Sequence, residues 1–208
     1  MAKVREILYG PGYDPYAGFE PGSFDGFGWN SESQEFVEVF NELKPNLVVE
    51  VGTFFGGSAR FMAHLGIARN LDIEIVCIDT FLGSVEHWHG DQYFKPAGFF
   101  KNGRPPIFDK FMTNTIRAEL TNQITPFPID SVNGGLTLKR YGIQADLVYI
   151  DGGHEYESVS QDLKVFKDIV RPGGIMLLDD SHYEPIQAAA RNILGNTETK
   201  GTKIIWRK

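Results

Sequence analysis

The segment Val49-Glu50-Val51-Gly52-Thr53-Phe54-Phe55-Gly56-Gly57-Ser58 ends an apolar run and opens a helical pattern carrying Phe61, Met62 and Leu65. Glycines at such a turn let a ligand approach the backbone, and the helix N-terminus offers unpaired N–H groups and a positive dipole end. A phosphate-cradling loop would need a lysine after its last glycine, but Gly57 is followed by Ser58 and Ala59. A dinucleotide site would read G-x-G-x-x-G, and this turn reads G-x-x-x-G-G, failing at the second glycine. Asp79 lies 29 residues beyond Glu50 at the end of the next apolar run. An acidic side chain there can accept hydrogen bonds from both hydroxyls of a ribose. For Asp79, and for Asp130 with Ser131 after the third run, a helix N-cap is the alternative role.

A second group of reactive side chains follows two later apolar runs: Asp151 and His154 after one, Asp179, Asp180 and His182 after the other. Either histidine could orient an acceptor hydroxyl or take its proton, or simply tie its loop. His64, His87 and His89 carry no usable spacing, one cysteine with scattered histidines makes no zinc site, and no G-x-S-x-G elbow occurs.

These residues need a scaffold. Five strand-like runs occur in order, Leu47–Val51, Glu74–Ile78, Ile124–Pro128, Asp146–Ile150 and Ile175–Leu178, most of them continuously apolar as strands buried on both faces must be. Helical patterns alternate with them, the clearest being Tyr156, Val159, Leu163, Phe166 and Val170, stopped by Arg171-Pro172-Gly173-Gly174. Ser31-Glu32-Ser33-Gln34 reads as a capping-box start for a helix with Phe36, Phe40 and Leu43. Another helix begins near Pro185 and ends at Gly195, and Thr202–Trp206 supplies one last strand. The alternation predicts a single-domain α/β fold with a doubly wound, mostly parallel sheet, over residues 31–208. Residues 1–30, with six glycines, three prolines and seven aromatics, read as an ordered arm. Phe81–Pro106 has no helical period and leaves the C-terminal edge of the sheet, where open α/β sheets bind ligands. It is expected to be a substrate lid, with a homo-oligomer contact as the alternative.

Glu50-x-Gly52-x-x-x-Gly56-x-Ser58 resembles the first motif of class I methyltransferases, in which the turn holds the amino-acid end of S-adenosylmethionine. The resemblance implies a Rossmann-like methyltransferase fold, a cofactor site at Glu50, Gly52, Thr53, Gly56 and Ser58, ribose on Asp79, and adenine bordered by Asp130 and Ser131. Over roughly residues 47–195 the ordered set Asp151-Gly152-Gly153-His154-Glu155-Tyr156, Asp162-Leu163, Arg171-Pro172-Gly173-Gly174 and Asp179-Asp180 is similar to the macrocin-type O-methyltransferases. Those act on sugar hydroxyls of natural products and use a divalent cation. The usual class I plan ends in a two-strand hairpin, whereas only one strand-like run follows the last helix here.

The expected metal set is Asp151, Asp179 and Asp180, with Asp151 and His154 as catalytic residues. Asp151 and Asp179 are 28 residues apart, one strand-helix-strand unit, so they end adjacent parallel strands about 4.8 Å apart. Three carboxylates so close would repel without a positive partner. Oxygen-only ligands favour Mg2+ or Mn2+ over zinc. An alcohol near ~15.7 lies roughly 11 pK units above an aspartate at ~4, a gap that a cation bound to the acceptor oxygen would narrow.

The formal charge of -7, from 20 basic and 27 acidic side chains with no basic cluster, makes nucleic acid a poor partner. Neither a signal peptide nor an apolar run of roughly 20 residues is present, so a cytoplasmic setting without membrane association is expected. The lone Cys77, in an apolar run, excludes a disulfide framework. The expected partner is a small-molecule acceptor. A metal-independent N-methyltransferase and a non-catalytic nucleotide-binding assembly module are the rival readings.

Overall fold

The computed structural model describes residues 3–28, 31–89 and 100–208. The five apolar runs form parallel strands β1 (Leu47–Val51), β2 (Glu74–Asp79), β3 (Ile124–Pro128), β4 (Ala145–Ile150) and β5 (Val170–Leu178). A hairpin of β6 (Glu198–Lys200) and β7 (Lys203–Arg207) follows, with β7 antiparallel to β5. Among the described residues the sheet order is β3-β2-β1-β4-β5-β7-β6. The chain therefore winds outward in opposite directions from β1 and β4, and the crevice above their carboxyl ends is the ligand position of such sheets.

Helices cover both faces. α2 (Gln34–Leu43), α3 (Gly57–Ala68) and α5 (Ile107–Arg117) pack Phe36, Phe40, Met62 and Phe111 on one. α6 (Ser131–Arg140), α7 (Tyr156–Ile169) and α8 (Glu184–Leu194) pack Leu138, Leu163, Phe166 and Ile186 on the other. Burial from both sides is why β1, β2 and β4 read as largely apolar runs without a polar-apolar alternation.

Several local expectations change. The C-terminal hairpin is present: β6, Glu-Thr-Lys, is fully exposed and has no apolar pattern to announce it. The N-cap of α2 is Ser33, not Ser31, and it makes no side-chain capping bond. Arg171-Pro172-Gly173-Gly174 does not form a separate terminator turn, because α7 ends at Ile169 and β5 begins at once. Gly173, at φ +74°, there supplies the left-handed step. The 81–106 segment holds a one-turn helix, α4 (Val85–His89), steadied by Ser84 N–H donating to His87 Nδ1 at 2.9 Å. Residues 90–99 of that segment lie outside the described residues.

The N-terminal segment opens with α1 (Val4–Tyr9) and lies along the edge strand β3. The Tyr9 hydroxyl donates to Pro126 O at 2.6 Å, the Tyr16 hydroxyl to Ile124 O at 3.0 Å, and Arg5 Nη2 to Thr121 O at 2.5 Å. Carbonyls of an open sheet edge are thereby satisfied, which guards against pairing with another chain.

Candidate active site

The turn after β1 is built around two carboxylates. Glu50, 0 % exposed, accepts hydrogen bonds from Thr53 Oγ1 at 2.6 Å and from Ser58 Oγ, so the strand, the turn and the first turn of α3 are tied from beneath. Burial raises its pKa, and the two hydroxyl donors pull it back. Asp79, at the tip of β2, accepts the N–H groups of Thr53 at 3.0 Å and Phe54 at 2.9 Å on one oxygen, and that of Phe81 at 2.7 Å on the other. Burial pushes this carboxyl up as well, against the pull of the three N–H groups. Gly52 has φ +81°, and a Cβ there would stand 2.1 Å from Asp151 O, so only glycine lets the β1 and β4 loops meet.

Above the turn, Asn114 of α5 clamps the N-terminal segment to the site. Its amide accepts from Asp25 N–H at 2.8 Å and donates to Asp25 O at 2.7 Å and to Phe55 O at 3.0 Å. Phe27, Gly28 and Ser31 are thereby brought to the rim of a cleft of about 710 Å³. That size suits a small-molecule site, typically about 300–1,000 Å³.

The side of the cleft beside this turn is acidic. Asp151 follows β4, and Asp179 and Asp180 follow β5. The Tyr149 hydroxyl lies 2.9 Å from Asp151 Oδ2 and 2.7 Å from Asp179 Oδ2. Lys203 Nζ, from β7, is 2.7 Å from the same Asp179 oxygen, and its side chain is 0 % exposed. Asp179 Oδ1 accepts the N–H of Asp180 at 2.7 Å. Asp180, in the left-handed region at φ +55°, pairs with His154 Nε2 at 3.0 Å, and this bond holds its carboxyl below the ordinary range. Asp151 is pushed up to about 8, first by burial and then by the negative charge of Asp179.

A methyltransferase domain family matches residues 49–181, well over half of the chain. The chain belongs to that family. The methyltransferase is also similar in fold to CalS11, a calicheamicin methyltransferase, at 18% identity and TM-score 0.60, over 83% of this chain and 77% of that one. An O-methyltransferase from Bacillus cereus in complex with SAH gives 13% identity and TM-score 0.59, over 90% and 84%. SAH-bound PaMTH1 from Podospora anserina gives 12% and 0.61, over 88% and 80%. No curated protein matches the chain in sequence.

Of the residues singled out from the methyltransferase's sequence, Gly52, Thr53, Ser58, Asp79, Ser131, Asp151, His154, Asp179 and Asp180 line one cleft. Three do not line it. Glu50 and Gly56 lie beneath the turn, Gly56 at φ +76° capping α3. Asp130 caps α6, accepting Asn133 N–H at 2.9 Å and Asn133 Nδ2 at 2.8 Å. The metal expectation meets a different arrangement. The three aspartates share a sheet edge, yet among the described residues no three acidic, His or Cys groups converge as a metal-binding set. Both oxygens of Asp179 already have partners, Lys203 Nζ supplies a positive charge to it, and Asp180 is engaged by His154 Nε2. Sequence reasoning missed Lys203 and Tyr149. The only signal was a lysine at an inward position of the strand pattern Lys203-Ile204-Ile205-Trp206.

Proposed function

We propose that the protein is an S-adenosylmethionine-dependent O-methyltransferase acting on a hydroxyl of a small molecule, such as a sugar or polyhydroxylated metabolite. The observation that carries this reading is one cleft with two unlike groups of residues side by side. Gly52, Thr53, Ser58 and Asp79 form one group in its lining, and Asp151, His154 and Asp180 the other. The turn would hold the amino-acid end of the cofactor, Asp79 its ribose, and Ser131 would border the adenine. The neighbours with SAH bound support this cofactor for the present chain.

In the proposed reaction an acceptor oxygen attacks the sulfonium methyl carbon. The C–S bond breaks with its electron pair going to sulfur, the C–O bond forms, and S-adenosylhomocysteine leaves. The acceptor's proton passes to the Asp151 carboxylate, while His154, held by Asp180, orients the hydroxyl. The side chains present do not fit the divalent cation implied by the macrocin-type resemblance, because Asp179 is turned to Lys203 and Tyr149. No step here runs through a metal. The arm, residues 1–30, would roof the cofactor through Phe27 and Gly28, beside Ser31, and 81–106 keeps its reading as a substrate lid.

S-adenosylhomocysteine release from the purified protein against pooled hydroxylated metabolites tests the reading. Release with an oxygen-methylated product is expected. Transfer only to amines would favour the N-methyltransferase, and cofactor binding without turnover the assembly module.

A further inference from the structure

Lys203 is the first residue of β7, one rung beyond the Leu178–Ile204 pair, which sets it opposite Asp179. Its ammonium lies 2.7 Å from Asp179 Oδ2 and 3.4 Å from the Tyr149 hydroxyl, with the rings of Phe36 and Tyr149 each 5.2 Å away. Burying an ammonium so completely is unfavourable unless a charge answers it, and an apolar residue would serve the core of a hairpin better. The charge that answers it is that of Asp179, on the acidic side of the cleft. Tyr149 has one hydroxyl proton and lies within hydrogen-bond reach of both carboxylates, so it links the Lys203–Asp179 pair to Asp151.

We propose that Lys203 is a built-in cation for this site: it answers the charge of Asp179, occupying the carboxylate that a divalent metal would otherwise need, and, through Asp179 and Tyr149, fixes the Asp151 carboxyl toward the acceptor. Lys203 is thus a positioning residue, and methyl transfer proceeds with no bound metal. The mechanistic half of the inference rests on the O-methyltransferase reading, whereas the charge-replacement half does not.

Calorimetric titration of MgCl2 and MnCl2 into the wild-type protein, with S-adenosylhomocysteine present, separates the two. No saturable binding is expected at millimolar metal, and a stoichiometric site would overturn the proposal even if no acceptor had been found. Where an acceptor is turned over, exhaustive chelation is expected to leave the rate unchanged, and loss of activity would overturn the proposal. Lys203→Met should lower kcat on the order of 100-fold, the scale of a mispositioned general base. It should leave KM and the affinity for S-adenosylmethionine within twofold, and Lys203→Arg should restore part of kcat. A Lys203→Met protein with full kcat per folded molecule would show that the lysine is only structural. If that variant does not fold, the wild-type titration still decides.

Discussion

At the scale of the residue, Asp79 acts twice. Its carboxylate holds three backbone N–H groups and lines the cleft where a ribose would lie. Asp79→Ala should therefore weaken S-adenosylmethionine binding on the order of 100-fold, about 3 kcal/mol, measured by calorimetry. An unchanged affinity would remove Asp79 from the cofactor site. Asp162 of α7 gives a pH signature. It is buried, its Oδ1 has no hydrogen-bond partner, and burial raises its pKa to about 6 despite a hydrogen bond with Ser131. A raised carboxyl means that the folded protein holds a proton the unfolded chain has released. This contribution is fully present below the unfolded pKa near 4 and is lost as pH rises toward 6. Asp162→Asn should flatten that loss and gain roughly 2 kcal/mol at pH 7 relative to pH 4. Denaturant midpoints at the two pH values read it, and parallel profiles for wild type and variant would contradict it.

At the scale of the element, Gly52 and Asn114 carry the predictions. Gly52→Ala forces a Cβ to within 2.1 Å of Asp151 O at a left-handed φ. It should destabilise the fold by more than about 3 kcal/mol or displace the β4 loop that carries Asp151. A soluble variant with wild-type melting and cofactor affinity would contradict the close approach. Asn114→Ala breaks three hydrogen bonds at a residue of 0 % exposure and should cost about 2–4 kcal/mol in chemical denaturation. The same elements show what could be read from sequence. β1, β2 and β4 were legible because both faces are buried, and the Gly52–Ser58 turn because glycine spacing records a backbone constraint. α5 escaped because Thr113, Asn114 and Thr115 are polar yet buried, the first two satisfied by distant parts of the chain and Thr115 by Phe111 O of the same helix. β6 escaped because it is short and solvated, and Lys203 because a lysine in an edge hairpin reads as surface.

At the scale of the whole molecule, one sheet brings residues from 26 positions apart, Thr53 and Asp79, and from 52 apart, Asp151 and Lys203, to its carboxyl edge. The strand order sets the glycine turn and the acidic group side by side, since β1 lies between β2 and β4. Sequence spacing could foresee that Asp151 and Asp179 end adjacent strands, as β4 and β5 do. It could not foresee which cation would meet them, because that depends on the register of β7 against β5, which sets Lys203 beside Asp179. No helix among the described residues is long and apolar enough to cross a membrane. The most direct test supplies S-adenosylmethionine labelled in its methyl group together with hydroxylated small molecules, and follows the label by mass spectrometry. The account predicts S-adenosylhomocysteine in equal amount to a product labelled on oxygen, and its loss in Asp151→Asn. Bound cofactor with no release of S-adenosylhomocysteine, or label transferred only to nitrogen, would contradict it.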